Sequence, residues 1–369
     1  MTLDIPRYRL HNQFLSQTKF TEPHQVVECL GAVQSQDYGG GKWALGLRMN
    51  NASDTALEQA FNEGKILRTH ILRPTWHFVS PQDIRWILSL SAPRVHAANG
   101  FMYRQQGLDR AIIQKSYRVL EKVLQGNKYL TRTELGSALE QAGIKEAKSI
   151  RLGYFMMSAE LDGVICSGAR KGKQFTYALL AERAPNAGVL KREEALAELT
   201  RRYFATRGPA TLHDFTWWSG LTMAEAKEGI EAVKSQFISE EIDGKVYWFA
   251  SSLSPVWEPS PTAHLLPNYD EYFIGFKDRS AIGEIASKAE ITSDDPSFLA
   301  NVIILDGQLI GGWKRTLKKN SVHVEFMFIT ELTKAQEKAV EKAASQYGEF
   351  LQMPVERVQS RKYGEIPPM

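Results

Sequence analysis

The feature that most constrains the fold of this chain is an order of elements that occurs three times along it. In the first copy, the apolar spacing of EPHQVVECLGAVQ predicts a helix, which we expect to end near Gln34 and Gln36. A second helix is predicted over Lys42–Arg48, and a third from the N-cap Ser53 to Gly64. Two extended runs, KILRTHILR and TWHFV, follow. Three helices followed by two strands is the layout of a winged helix.

The same order returns in a second and a third copy. The second has the amphipathic helix AIIQKSYRVLEKVLQ, a helix with a capping box at Thr131–Glu134, and the apolar helix IRLGYFMMSAELDG. Its strands, VICSG and FTYALL, are joined by a basic turn at Arg170–Lys173. The third copy has three more helical segments and ends in two strands joined by an Asp243-Gly244 hairpin turn. The repetition predicts three tandem winged-helix units.

Beyond Pro255 the pattern changes to strands, including AHLLPNYDEYFIGF and NVIILDGQLIGGW, with a tight hairpin at Asp306-Gly307. A last helix, KAQEKAVEKAASQYGEFL, closes the chain. The predicted fold class is therefore α+β, with three tandem winged-helix units scaffolding a C-terminal β-rich, barrel-like domain. The predicted domains are 1–100, 101–185, 186–255 and 256–369.

Composition excludes several classes of protein. The 369 residues contain no apolar run long enough to cross a bilayer, and the N-terminus lacks a signal-peptide pattern, so we expect a cytoplasmic protein. Cys29 and Cys166 are isolated, which disfavours a disulfide scaffold or a structural zinc site. A net charge of +3 does not by itself indicate nucleic acid.

The third helix of each unit lacks the composition of a DNA-reading helix. Such helices present Arg, Lys, Asn or Gln to base edges. IRLGYFMMSAEL is mostly apolar and is expected to be buried, while TMAEAKEGIEAV and SDTALEQAFNEG are acidic. The units therefore look like scaffold, and DNA contact is left to wings and turns. The basic turn Arg170–Lys173 could press on phosphates or could be a solvated hairpin tip, and its composition does not decide between the two.

Several segments together resemble one family. They are AVQSQ, RTHILRPTWHFVSP, RGPATLHDFTWWSGL, LLPNYDEYFIGFKDR and ILDGQLIGGW, in this order along most of the chain. They are similar to AlkZ-type winged-helix DNA glycosylases, in which tandem winged helices scaffold a C-shaped DNA-binding channel. Members act on alkylated purines, especially N7-alkylguanine, and some unhook interstrand crosslinks. The resemblance implies duplex DNA as the partner and no metal or organic cofactor. We also expect a monomer.

The resemblance also implies site residues. Gln34 and Gln36 match the two catalytic glutamines of the family's Gln-hydrophobic-Gln motif, although Ser35 replaces the hydrophobic residue. His77 matches the histidine of a His-hydrophobic-Pro element and is expected to contact DNA or the active site. Pro81 is a more widely spaced counterpart of that motif's proline.

The predicted DNA contacts are basic. By its place in the second unit, the turn with Arg170, Lys171 and Lys173 corresponds to the family's DNA-probing hairpin. Arg68 and Arg73, on the two strands of the first unit, are expected either to contact backbone phosphates or to be solvated.

Two neutral amides could suffice for this chemistry. An N7-alkylated guanine carries a positive charge that its departure neutralises, so a strong general acid is dispensable. A glutamine carbonyl can accept a hydrogen bond from the water that attacks C1′. Side chains at i and i+2 share a side only where a helix is ending, and the glycines at 39–41 were expected to cause that ending.

Two alternatives stay open. Asp37 could act as a base or electrostatic stabiliser. The sequence Asp-Tyr-Gly-Gly favours the other interpretation, a turn residue that caps the break in the helix before the glycines. The leading hypothesis for the whole chain is a monofunctional glycosylase that hydrolyses the N-glycosidic bond of N7-substituted, cationic purines in duplex DNA, with crosslinks as a further substrate. The alternative is a non-catalytic winged-helix DNA-binding protein or transcriptional regulator.

Overall fold

The computed structural model describes residues 3–145, 149–250, 259–288, 301–357 and 361–362. In these ranges the α-helices are α1 Ile5–Asn12, α2 Pro23–Leu30, α3 Tyr38–Gly46, α4 Asp54–Glu63, α5 Ile84–Gln105, α6 Arg110–Leu124, α7 Arg132–Gln141, α8 Ser149–Leu161, α9 Leu180–Arg183, α10 Arg192–Arg207, α11 Leu212–Ser219, α12 Met223–Val233, α13 Glu271–Ile274, α14 Glu284–Lys288 and α15 Lys334–Leu351. The strands are β1 Val33–Gln34, β2 Leu67–Ile71, β3 Thr75–Val79, β4 Leu130–Thr131, β5 Ile165–Ser167, β6 Thr176–Leu179, β7 Phe237–Ile242, β8 Lys245–Ala250, β9 Ala263–Leu266, β10 Val302–Leu305, β11 Gln308–Leu317, β12 Val322–Phe328, β13 Val355–Arg357 and β14 Arg361–Lys362. Helices and strands alternate in short groups, and the α+β class predicted from the sequence is confirmed.

The small sheets repeat one topology. In the first, antiparallel strands lie in the order β1-β3-β2, and in the second in the order β4-β6-β5. The third hairpin, β7-β8, pairs with Ala210 through an isolated bridge to Trp248, so the segment before α11 takes the place of a first strand. Each set follows the order helix, strand, two helices, two strands. This order supports three winged-helix units, whose number and boundaries remain a prediction.

The expected helix end at the two glutamines is wrong. Helix α2 ends at Leu30, Gly31 follows with φ +80°, and Gln34 lies in β1. The glycines at 39–41 belong to the first turns of α3 instead of ending α2. A Cβ on Gly41 would lie 3.0 Å from Phe78 and 3.0 Å from Ser35, so close packing of α3 on the sheet requires glycine there.

A long helix between the first two sheets was not predicted. Helix α5 has 22 residues and contains Pro93. Residues 100 and 101, where the first predicted boundary falls, lie inside this helix. The boundary predicted between residues 255 and 256 lies outside the described residues.

The C-terminal part is a curled sheet of six strands in the order β13-β12-β11-β10-β9, with β14 paired to β12. The predicted strand AHLLPNYDEYFIGF is too long, because β9 ends at Leu266 and the short helix α13 follows. Asp270 starts that helix by accepting a hydrogen bond from the Tyr272 backbone N–H. Its carboxylate also binds both terminal nitrogens of Arg48 at 2.9 Å, which requires a turn and not a continuing strand.

One hydrophobic core joins the first unit to the C-terminal sheet. Trp43 of α3 and Phe78 of β3 share a cluster with Trp313 of β11 and Tyr347 of α15. The Trp43 indole N–H donates to the Leu265 carbonyl at 2.8 Å, which satisfies a buried donor across this interface. The β1 strand with the first glutamine lies in this cluster through Val33.

Membrane-spanning helices and metal-binding clusters are both absent from the described ranges. No helix there combines the length and apolar character needed to cross a membrane. In the same ranges, no three His, Cys, Asp or Glu side chains lie close enough together to hold a metal ion. Both cysteines are free thiols, with Cys166 buried and Cys29 half-buried.

Candidate active site

Gln34 lies at the end of a strand, and Gln36 follows two residues later at a bend in the chain. In β1, Val33 and Gln34 pair with Phe78 and His77 of β3, and the Ser35 backbone N–H donates to the Trp76 carbonyl at 2.8 Å. Side chains two residues apart on an extended chain share a face. The chain bends at Gln36, so this alternation ends there, and hydrogen bonds from Arg73 and from the Trp76 backbone N–H position the two amides.

The first glutamine is almost fully buried and held from two sides. Its backbone N–H donates to Glu271 Oε1 at 2.9 Å, and its side-chain Oε1 accepts from Arg73 Nη2 at 3.0 Å. Only 5% of Gln34 is exposed. Because the amide oxygen faces the arginine, the orientation of the amide is set and its NH2 group points the other way.

The second glutamine is exposed. Gln36 Oε1 accepts from the Trp76 backbone N–H at 3.2 Å, and its NH2 group has no partner among the described residues. A carbonyl oxygen has two lone pairs, so the Gln36 oxygen can accept a second hydrogen bond from a water or substrate. The pair thus combines a fixed inner amide with an accessible outer one.

A buried acid lies behind the pair, and sequence reasoning missed its role. Besides the Gln34 backbone, Glu271 binds Arg207 Nη2 at 2.7 Å and the Trp218 indole N–H at 2.8 Å, and neither charged side chain is exposed. Neighbouring acids are also paired, Asp270 with Arg48 and Asp278 with Lys245. No local signal marks Glu271 as a neighbour of Gln34, 237 residues away.

Asp37 is a helix cap. Its carboxylate accepts from the Gly40 backbone N–H at 3.1 Å and starts α3, so Asp37 caps the helix that contains the glycines and not a break before them. The same carboxylate binds Arg315 Nη2 of β11 at 2.7 Å. This ion pair ties the segment after Gln36 to the C-terminal sheet, and it occupies the carboxylate that could otherwise serve as a base.

Two of the predicted DNA contacts are buried. Arg68 is 7% exposed, its Nε donates to the Ser35 carbonyl at 3.1 Å, and its guanidinium lies 4.3 Å from the Trp76 ring centre. Burial lowers the pKa of Arg68 to about 10. His77 is completely buried. This burial does not fit a direct phosphate contact by either side chain. Through its hydrogen bond to Ser35, Arg68 instead stabilises the backbone between the two glutamines.

Most of the basic hairpin between β5 and β6 is neutralised. Arg170 pairs with Glu58 at 3.0 Å, and Lys171 pairs with Glu134 at 3.3 Å. Lys173 is exposed, and no acidic partner neutralises it within the described residues. Of the three basic residues predicted to touch DNA in this turn, Lys173 is the one whose charge is available to an external phosphate.

Of the two adjacent tryptophans of α11, one is buried and the other is exposed. Trp218 is fully buried in the core, whereas 43% of Trp217 is exposed. The Trp217 indole N–H donates to the Ile274 carbonyl at 3.1 Å, and the Arg73 guanidinium lies 5.5 Å from its ring centre. An aromatic face accessible to solvent therefore lies beside the arginine that holds Gln34.

Two buried histidines should make the free energy of unfolding depend on pH. Burial lowers the pKa of His77 to about 3 and that of His264 to about 4, and the nearby charges of Arg73 and Arg48 act in the same direction. In the unfolded chain each histidine binds a proton near pH 6.5, so the unfolded state takes up more protons as the pH falls below that value. We expect the free energy of unfolding to fall between pH 6.5 and 4, by up to about 1.4 kcal/mol per pH unit for each histidine.

Urea unfolding of wild type and His264→Gln at pH 7, 6 and 5 measures this effect. The substitution should flatten the pH dependence whatever it does to stability at pH 7. His213→Gln, which replaces an exposed histidine, is the matched control and should keep the wild-type slope. Equal slopes in wild type and His264→Gln would contradict the prediction.

Most of this chain matches the model of one known protein family. The model of the family described as "AlkZ-like: DNA glycosylase AlkZ-like" matches residues 27–350, which include both glutamines, the buried Glu271 and the basic hairpin. The chain belongs to this family. Membership in the AlkZ-like family confirms DNA glycosylase as the class of enzyme that the sequence predicted.

A curated protein and a solved structure, both from Streptomyces sahachiroi, are similar to this chain. A curated protein named "Interstrand DNA cross-link repair glycosylase" is 21% identical over 319 residues, covering 83% of this chain and 86% of that protein. The solved structure titled "Streptomyces sahachiroi DNA glycosylase AlkZ" superposes with a TM-score of 0.79 and 20% identity, covering 96% of this chain and 98% of that one. At this identity the structural match establishes the shared AlkZ fold.

Proposed function

We propose that this AlkZ-like protein is a monofunctional DNA glycosylase that hydrolyses the N-glycosidic bond of N7-alkylated, cationic purines in duplex DNA. The observation that carries the proposal is the pair of neutral amides two residues apart, the inner one oriented by Arg73 and the outer one exposed. The nearest carboxylates, Asp37 and Glu271, are both engaged in ion pairs. This arrangement suits a substrate that needs little acid or base catalysis.

The proposed reaction balances without a further reactant. A water oxygen forms a bond to C1′ while the bond from C1′ to N9 of the purine breaks. The electron pair of the broken bond moves into the alkylated ring and cancels its positive charge. The attacking water loses one proton to solvent, and the products are a neutral free base and an abasic site.

Gln36 is assigned to the attacking water. Its oxygen already accepts from the Trp76 N–H and retains a second lone pair, which can hold the water at C1′. Its exposure gives the water and the DNA access to this group, whereas Gln34 is fixed behind it. An ordinary purine leaves as an anion unless it is protonated, and two amides supply no proton, so unmodified DNA should be left intact.

The direct test is base release from duplex DNA that carries N7-methylguanine. Purified protein should release free 7-methylguanine and leave alkali-labile abasic sites, and an unmodified duplex of the same sequence should stay intact. Since a relative is named as an interstrand cross-link repair glycosylase, a duplex with an N7-to-N7 crosslink belongs in the same assay. Binding of the methylated duplex without any base release would favour the non-catalytic alternative.

DNA contact is proposed for two exposed groups, Lys173 of the β5–β6 hairpin and the Trp217 ring, together with the half-buried Arg73. A lysine that contacts one phosphate displaces about one counterion, so Lys173→Ala should reduce the slope of log Kd against log salt by about one. Fluorescence anisotropy with a labelled duplex over a range of salt concentrations measures that slope.

The control lysine lies at a different hairpin. Lys245 at the start of β8 is paired with Asp278 and lies near the acidic side chains of β7, which phosphates would avoid. Lys245→Ala should therefore keep the wild-type salt slope. A loss of slope in both variants, or in neither, would remove Lys173 from the DNA interface.

We also propose that one chain is sufficient and that it acts in the cytoplasm. Every group named in the mechanism comes from a single chain, and Gln34, Glu271 and Arg73 are joined by direct contacts within it.

A further inference from the structure

A row of polar side chains runs across the first sheet under the inner glutamine. Gln34 of β1, His77 of β3 and Thr69 of β2 are opposite one another in the register of the three antiparallel strands. Neighbours in such a row share a face and lie about 5 Å apart at Cβ. Thr75, two residues before His77, lies on the same face, and Arg73 reaches the row through Gln34 Oε1.

Several polar atoms of this row have no protein partner. His77 Nε2, Thr69 Oγ1, Thr75 Oγ1 and Arg73 Nε are all buried and unpaired among the described residues. Leaving one such group without a hydrogen bond costs about 1–3 kcal/mol, and native proteins avoid that cost with ordered internal water. Two of these atoms belong to residues beside Gln34, since His77 pairs with it in the sheet and Arg73 binds its oxygen, which points to a hydrated site there.

The hydrogen bond of His77 to Thr75 shows which ring nitrogen carries the proton and which one can accept a hydrogen bond. His77 Nδ1 lies 3.0 Å from the Thr75 carbonyl oxygen, which can only accept, so Nδ1 carries the proton. Burial and the charge of Arg73 lower the pKa of His77 to about 3, so the ring is neutral at pH 7. Nε2 is therefore a lone-pair acceptor, and it needs a donor that no protein group supplies.

We propose that the row holds a buried water that accepts from the Gln34 side-chain NH2 and donates to His77 Nε2, and that His77 is thereby a positioning residue for Gln34. Arg73 holds the amide oxygen and the water holds the amide nitrogen, so the carboxamide cannot flip. Thr69 and Thr75 hydroxyls complete the hydrogen bonds of the water. The inference rests on the proposed function for its kinetic consequence, but not for the water site itself.

Two substitutions of similar size separate this role from a structural one. His77→Gln places an amide oxygen near the position of Nε2 and can still accept from the water. His77→Asn reaches only the position of Nδ1, so it can still donate to the Thr75 carbonyl but cannot reach the water. If the water matters, Asn should lower kcat for 7-methylguanine release by about 10–100-fold with little change in KM, and Gln should lower it much less. The opposite order would assign His77 to backbone support alone.

A second measurement does not depend on activity. In wild-type protein, ¹⁵N-edited NMR of the His77 ring should show a protonated Nδ1 and a bare, hydrogen-bonded Nε2. Gln34→Leu removes the amide that the water bridges, so it should shift the Nε2 resonance while leaving Nδ1 protonated. A protonated Nε2 in wild type, or an Nε2 shift that Gln34→Leu leaves unchanged, would overturn the inference. If wild type releases no base but these shifts appear, the proposed function fails and the water site stands.

Discussion

Gln36→Ala is expected to lower kcat for release of 7-methylguanine by about 10²–10³-fold, the usual cost of removing one preorganised polar group from a transition state. The Gln36 side chain is exposed, and within the described part of the chain its one hydrogen bond is with the Trp76 backbone N–H. Its removal should therefore change the free energy of unfolding by no more than about 0.5 kcal/mol. Single-turnover release of the free base, measured beside urea unfolding, gives both quantities.

A second glutamine provides the control. Gln59 on α4 is exposed, and its amide binds Glu63 on the same helix at 2.7 Å. Gln59→Ala makes the same chemical change outside the site and should keep wild-type kcat and DNA affinity. If Gln36→Ala released base as fast as Gln59→Ala, the exposed amide would have no part in the reaction. If Gln36→Ala lost DNA binding in proportion to activity, its role would be contact with the substrate rather than activation of water.

Glu271→Gln is expected to destabilise the protein by about 3–5 kcal/mol, because it leaves the Arg207 charge buried without a counter-charge. Both side chains are fully buried, and Glu271 also accepts from the Gln34 backbone and the Trp218 indole. A glutamine at this position can turn its oxygen toward the arginine only by turning its NH2 toward the Gln34 N–H. Two donors then face each other, and β1 must shift.

The neighbouring ion pair separates lost stability from lost positioning. Asp270→Asn weakens the equally buried pair with Arg48 but removes no contact to Gln34. Both variants should show a lower midpoint in urea, whereas kcat per folded molecule should fall in Glu271→Gln and stay near wild type in Asp270→Asn. Equal kcat in the two variants would show that Glu271 acts on stability alone.

Much of the local structure could be predicted because its causes are local. Ser53 caps α4, and the Thr131–Glu134 capping box starts α7, since each of these contacts joins residues three positions apart. The turns Asp243-Gly244 and Asp306-Gly307 have positive φ at both residues, as a two-residue hairpin requires. The apolar helix α8 is buried as its composition predicted. The prediction that the glycine run before Trp43 ends a helix is wrong, because the close packing of these glycines on Phe78 cannot be seen from the sequence.

The sequence by itself determined the α+β class, several helix caps and two hairpin turns, and its resemblance to a family indicated the two glutamines. Only the tertiary structure decided what surrounds them. Glu271 reaches the Gln34 backbone from 237 residues away, Arg315 reaches Asp37 from 278 residues away, and His77 is buried under Gln34 instead of facing DNA. Helix caps and turns depend on interactions within a few residues, which the local sequence specifies. Burial and ion pairing depend on which distant surfaces pack together, and that packing exists only after the chain has folded.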